Sequence, residues 1–253
     1  MTINDILLYF SLKHNGDWDE VYRSIKRRDS VDEEEFKNLK SKLGRDYQVV
    51  SILDSNYPEQ LKQASKPSYL FFYKGNLDLL SDTTPVICVS SSETCSFDSK
   101  RDITSIIDNL GKENNKNTLL MELNNENDKK LLLTALVNNF KVILISNKAY
   151  LDFQKNELIN LVIEGGGLVI TEKAFNNESH IQSGRLASGL SDYILFSSIS
   201  KDNLSLLHMM LENGKEVMVI PHSITEENDY SNKIIQEGAN LITCARDIVE
   251  FIA

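Results

Sequence analysis

From Pro85 onward the chain alternates short apolar runs with longer stretches of helical periodicity. Runs at 86–90, 118–123, 142–146, 168–171, 193–197, 217–220 and 240–243 have the length and branched apolar content of buried strands. Helical patterns fall between and after them at 98–111, 127–138, 151–164, 181–190, 202–213, 229–237 and 245–252. This rhythm predicts a mostly parallel sheet covered by helices on both faces and joined by right-handed crossovers, a Rossmann-like, doubly wound α/β fold.

The first part of the chain has a different pattern. Ile3, Ile6, Leu7, Phe10 and Leu12 form a helical stripe that Asn15-Gly16 ends. Asp17 can cap a second helix with Trp18, Val21, Tyr22 and Ile25 on its apolar face, and Ser30 or Asp32 a third that Gly44 stops. Glu33 to Glu35 lie near the positive end of that third helix and Lys37, Lys40 and Lys42 near its negative end, as the helix dipole favours. Residues 1–45 therefore read as a small N-terminal helical unit, and 46–253 as the Rossmann-like domain. Two further strands are expected at 47–53 and 69–73, with a turn at Asn56-Tyr57-Pro58 and a short helix over 59–64 between them.

Composition narrows the functional classes. A chain of 253 residues, 41% hydrophobic, can bury a core without staples, and its three cysteines (Cys88, Cys95, Cys244) form no CxxC pair. They read as reduced core thiols of a cytoplasmic protein. Residues 1–10 lack a basic start and contain Asp5, so no signal peptide is expected, and no apolar run reaches the ~20 residues of a membrane span. A net charge of −10 argues against strong nonspecific nucleic-acid binding while leaving room for a local basic groove.

Chemistry-bearing motifs are sparse. There is no nucleophile elbow, HExxH or Walker loop, so no enzymatic activity and no cofactor is expected. The four histidines, His14, His180, His208 and His222, share no metal-like spacing with cysteines or carboxylates. Gly165-Gly166-Gly167 follows a helix and precedes a strand, the wrong order for a phosphate loop, and reads as a helix stop. The informative stretch is Ser90-Ser91-Ser92, which leaves a strand and runs into a helix. In an open α/β sheet such a loop lies at the carboxyl edge, where phosphates meet backbone N–H groups. This one has no glycine, so it either binds phosphate through hydroxyls and N–H groups or marks an emptied site.

Several ordered stretches resemble the bacterial DNA-processing protein family DprA, also called Smf. Tyr57-Pro58 with Leu61, then Lys66-Pro67, Leu70 and Gly75-Asn76, resemble its "YP..L…P..L…GN" pattern. Gly167-Leu168-Val169-Ile170-Thr171-Glu172 resembles "GlllSE", and Arg185 to Ser191 is similar to the second half of "RNRiiaGLS". Gly214-Lys215-Glu216-Val217 ending at Pro221 resembles "GReVfavPG", and Asn232 to Ala239 resembles "N.LI..GA". The order and spacing hold over roughly 46–253.

Three loops and two further sites depart from the family pattern. Val89-Ser90-Ser91-Ser92 stands where the family has "VG(S/T)R", so a Gly and an Arg are missing. In the "SG.A.GID..AH" stretch only Asp128 survives, and Glu122 and Glu126 replace glycines. Lys201-Asp202-Asn203-Leu204 replaces "SGSL", His222 replaces the glycine after Pro221, and Ser183-Gly184 replace the first Arg and Asn of "RNR".

The resemblance implies a homodimeric, non-enzymatic protein that binds single-stranded DNA in a basic pocket and loads a RecA-type recombinase during DNA uptake. The eroded loops imply that binding is weakened. Candidate contacts are Ser90, Ser91, Ser92, Arg185, Lys201 and Asn232, with no catalytic and no metal residues. Arg185 can clamp a phosphate through two N–H groups or sit in a structural ion pair. Lys201 can supply a lost positive charge or simply be solvated, and Asn232 can contact a ligand or cap a turn. His222 faces the ligand edge as a further donor. Two other readings stand beside the DNA binder: a scaffold that works through dimerisation or protein partners alone, and a nucleotide-phosphate hydrolase, which lacks the "PGG.GT..E" loop such enzymes use.

Overall fold

The computed structural model describes residues 1–44, 46–81, 83–113, 116–176, 184–223, 226 and 229–252. His180 and Ser183, named above, lie outside them. Three helices open the chain. In α1 (Ile3–Lys13) Thr2 and Asp5 form a reciprocal capping box, which satisfies N–H groups that have no helical partner. Asp17 caps α2 (Trp18–Arg27), and Asp32, rather than Ser30, caps α3 (Glu33–Leu43) by accepting the Glu34 and Glu35 N–H groups.

A nine-stranded sheet follows. Its strands are β1 (Val49–Ser51), β2 (Leu70–Gly75), β3 (Val86–Ser90), β4 (Thr118–Glu122), β5 (Lys141–Ile145), β6 (Leu168–Thr171), β7 (Tyr193–Phe196), β8 (Glu216–Val219) and β9 (Asn240–Leu241). They lie in the order β1-β2-β6-β5-β4-β3-β7-β8-β9. All pairs from β6 to β9 along that order are parallel, and β1 and β2 are added antiparallel against β6. The chain runs outward from β3 to β6, then returns to place β7 on the other side of β3. The strand order therefore reverses between β3 and β7, the crevice where open α/β sheets hold ligands.

Two apolar layers sandwich the sheet. Ile87 and Val89 of β3 face α5 (Phe97–Glu113) and α6 (Glu126–Val137), in one core with Ile103, Ile107, Leu110, Leu132 and, from α11 (Ala245–Ile252), Ile248. Val86 and Cys88 face the opposite way. They join Leu61 of α4 (Glu59–Gln63), Leu186 and Leu190 of α8 (Gly184–Leu190), and Leu207 and Met210 of α9 (Leu204–Glu212). This is the two-residue alternation of a strand covered on both faces.

The sequence pattern over 151–164 divides in two. A 3-10 turn covers Tyr150–Lys155, and α7 (Glu157–Glu164) starts afresh because the Asn156 carboxamide accepts the Leu158 and Ile159 N–H groups.

The N-terminal helices share a third core with Leu70, Phe72 and Ala174 of the sheet side. Two residues seat them. Asn15, at φ 48°, accepts the Ala174 and Phe175 N–H groups and donates to the Phe175 carbonyl. Gly16 has φ 80°, and a Cβ there would lie 2.3 Å from the Glu172 carbonyl oxygen, so only glycine permits the approach.

Candidate nucleic-acid interface

The three divergent loops meet over the carboxyl edge of the sheet. A cavity of about 420 Å³ lies there, bounded by Ser90, Ser91 and Glu93 after β3, Glu122 and Asn124 after β4, and Asp202 and Asn203 after β7. Among the described residues its lining contains the carboxylates of Glu93, Glu122 and Asp202 and no Lys or Arg. Glu126 is elsewhere, on the first turn of α6 and 3.7 Å from Lys129.

The serine loop is closed upon itself. Ser91 Oγ lies 2.5 Å from Ser197 Oγ, and the Ser92 N–H donates to Ser198 Oγ at 3.1 Å. Ser92 Oγ meets Ser200 Oγ at 2.7 Å and donates to Asp202 Oδ1 at 2.9 Å. Asp202 Oδ2 accepts the Glu93 backbone N–H at 2.7 Å. A carboxylate of the chain thus takes the hydroxyl and the N–H that an incoming phosphate would use. Burial pushes the Asp202 carboxyl up, but hydrogen bonds from Ser200, the Glu93 N–H and Ser92 hold it below the ordinary value, so it is an anion at neutral pH. This arrangement turns on Asp202, which the sequence reading quoted only as part of a departed loop. The available signal was an acid two residues after a serine in a position the family fills with Gly.

Asp128, the survivor of its motif, serves structure. Its Oδ2 accepts the Asn124 and Asn125 N–H groups at 2.9 and 3.1 Å, and it closes a capping box with Asn125. Burial raises its carboxyl, only partly offset by those two hydrogen bonds, to about 6, with Glu122 and Glu93 adding to the rise.

The remaining candidates separate. Arg185 is 7% exposed, and its Nη2 donates to Glu172 Oε2 at 2.6 Å. Glu172 Oε1 accepts from Ser68 Oγ at 2.7 Å, and Trp18 lies over the guanidinium at 5.9 Å. Of the two roles open to Arg185 the structure shows the ion pair. Asn232 accepts the His222 N–H and donates to the His222 carbonyl, clasping the loop after β8. Ser91 and Ser92 are buried, Ser90 is half-buried on the cavity wall, and Lys201 is exposed.

Comparison with known proteins fits this geometry. The DNA processing protein DprA of Streptococcus pneumoniae (strain ATCC BAA-255 / R6) is 28% identical over 211 residues, covering 79% of this chain and 72% of that protein. The X-ray structure of DprA from Streptococcus pneumoniae superposes with a TM-score of 0.75 at 23% identity, covering 99% of this chain and 98% of that one. DNA processing protein A from Helicobacter pylori, described for its single-stranded DNA binding mode, superposes with a TM-score of 0.64 at 17% identity. That match covers 83% of this chain and 97% of the other. No described helix is long and apolar enough to cross a membrane. The model of the DNA recombination-mediator protein A family matches residues 48–253, and the chain belongs to that family of non-enzymatic DNA-processing proteins.

Proposed function

We propose that this chain is a cytoplasmic recombination mediator that engages single-stranded DNA weakly, along the lip of the carboxyl-edge cavity. The observation that carries the reading is the cavity itself, assembled at the strand-order reversal from the loops that align with the family's pocket motifs. Phosphates would meet Ser90 on the wall and the exposed Lys201 and Lys148 on loops beside it, while the three acidic side chains keep affinity low. Ser91, Ser92 and Asn232 shape the loops, and Arg185 braces α8 against β6. The family likeness also supports homodimerisation and delivery of the strand to a RecA-type recombinase as parts of this reading.

A scaffold without DNA binding is the second reading, favoured by one observation: Asp202 already holds the loop's donors. A salt titration with fluorescent oligo(dT) decides between them. Weak binding at low salt is expected, with Lys201→Ala reducing the salt slope by about one ion. Undetectable binding at micromolar protein and low salt selects the scaffold, and an unchanged slope removes Lys201 from the contact set.

A further inference from the structure

A second group of polar side chains sits at the same edge of the sheet, in the loop between β8 and α10 (Ser231–Gln236). His222, Glu226 and Asp229 each offer one ligand-capable atom, and these atoms all lie within 4.8 Å of one another. The side chains of His222 and Asp229 are 6% and 8% exposed. His222 Nε2 and Asp229 Oδ2 are both buried, and neither takes part in a hydrogen bond. Two buried polar atoms without partners, on side chains this close together, are costly unless something binds them.

The surrounding bonds settle which form each group takes. His222 Nδ1 lies 2.7 Å from the Ser223 carbonyl oxygen. A carbonyl only accepts, so Nδ1 carries a proton, and the neutral ring that a metal ligand requires presents its lone pair at Nε2. Nε2 is 3.7 Å from Asp229 Oδ1, beyond hydrogen-bond reach. Asp229 Oδ1 accepts the Ser231 and Ile199 N–H groups at 2.7 and 3.3 Å, while Oδ2 is buried without a partner. An imidazole fixed by a backbone carbonyl and a carboxylate fixed by backbone N–H groups are the supports that metal ligands use.

We propose that His222 Nε2, Asp229 Oδ2 and a Glu226 carboxylate oxygen bind one divalent transition-metal ion of the Zn²⁺ class. One imidazole and two carboxylates are a borderline donor set suited to that class. Ligand atoms ~2.0–2.2 Å from a tetrahedral ion lie about 3.4 Å apart, so separations within 4.8 Å contract by at most about 1.4 Å on binding. Three protein ligands leave a fourth position for water or an incoming phosphate oxygen. The ion's charge falls on an edge otherwise rich in carboxylates, and the site stands whether or not DNA binds there.

The test uses untagged full-length protein stripped with chelator, then titrated with Zn²⁺ by calorimetry and followed by thermal unfolding. One equivalent is expected to bind and to raise the melting temperature. Glu226→Gln and Asp229→Asn keep side-chain shape and are expected to weaken binding at least tenfold. His222→Gln is expected to abolish it, with Cys244→Ser, which removes the exposed thiol, as a control expected to bind normally. Absence of a stoichiometric Zn²⁺ event in the native chain overturns the proposal. So does binding unchanged in Glu226→Gln and Asp229→Asn, variants whose circular dichroism shows whether they fold.

Discussion

The Asp202 carboxylate bonds the Glu93 backbone N–H at 2.7 Å, across the crevice between the loops after β3 and β7. Two segments more than a hundred residues apart are thereby joined by an anion that the chain supplies itself. In the proposed reading phosphate would enter this crevice, where the carboxylate already takes the Glu93 N–H.

Replacing that anion should therefore open the site. Asp202→Asn retains an acceptor for the Glu93 N–H and removes one negative charge from the cavity wall. Oligo(dT) affinity at low salt is expected to rise by about 1 kcal/mol, roughly fivefold, and the gain to shrink as salt is added. Fluorescence anisotropy measures it. An affinity equal to the native chain's at every salt concentration would mean that Asp202 does not oppose the ligand.

Arg185 makes the opposite case, a residue whose removal should act on stability. With Glu172 it forms a buried pair, and truncation leaves a carboxylate at 4% exposure with Ser68 as its remaining partner. Arg185→Ala is expected to cost about 3–5 kcal/mol. Arg185→Met combined with Glu172→Gln removes both charges and should recover more than half of that. Urea unfolding followed by Trp18, the single tryptophan, provides the readout. A stable Arg185→Ala protein with lost oligo(dT) binding would restore the phosphate clamp.

The contrast between these two residues shows what the sequence exposed and what it hid. Strands at 86–90 and 168–171 and the helix over 245–252 were legible because their apolar periodicity is local and their flanks carry turn residues. The strand expected over 47–53 shortens to β1 because the Asp54 carboxylate turns back to accept the Ser51 N–H. The position of the serine loop at the carboxyl edge of the sheet was equally legible, since it follows from the strand–loop–helix order. Partner choice was not. Arg185 finds Glu172 through the packing of α8 on the sheet, and Asp202 finds Glu93 only once β7 is placed beside β3. His222, Glu226 and Asp229 stand in an irregular loop, so their spacing carries no helical or strand period to read.

The seating of the N-terminal helices depends on Asn15, whose side chain makes three hydrogen bonds to Ala174 and Phe175. Asn15→Ala is expected to cost about 2–4 kcal/mol from those bonds, plus about 1 kcal/mol for alanine at a positive φ. Asn15→Gly loses the bonds without the second penalty, so the difference between the variants isolates the backbone contribution. Urea midpoints give both values, and limited proteolysis should cut between α1 and α2 first. Stability within 0.5 kcal/mol of native, on the order of a neutral surface change, would show that the apolar core alone holds the helices.

Asp128 gives a pH signature with a definite sign. Its carboxyl is raised to about 6 in the folded chain, chiefly by burial, from the 3.8 of a free aspartate. The folded state therefore binds the proton more tightly than the unfolded state does. Well below the unfolded value of 3.8 both states are protonated and there is no penalty. As pH rises from 4 to 6 the unfolded chain ionises first, and stability falls by up to about 3 kcal/mol before levelling above the folded value. Carboxyls held low, Asp202 and Asp247 among them, lose their contribution only at more acidic pH, so the two effects separate. Asp128→Asn keeps an oxygen for the Asn124 and Asn125 N–H groups and cannot ionise. Its profile is expected to lack the fall that Asp128 contributes between pH 4 and 6, so that the native chain loses stability relative to the variant as pH rises, and its stability to exceed the native chain's at pH 7. Native and variant profiles that run parallel across that window would place the Asp128 carboxyl at its ordinary value.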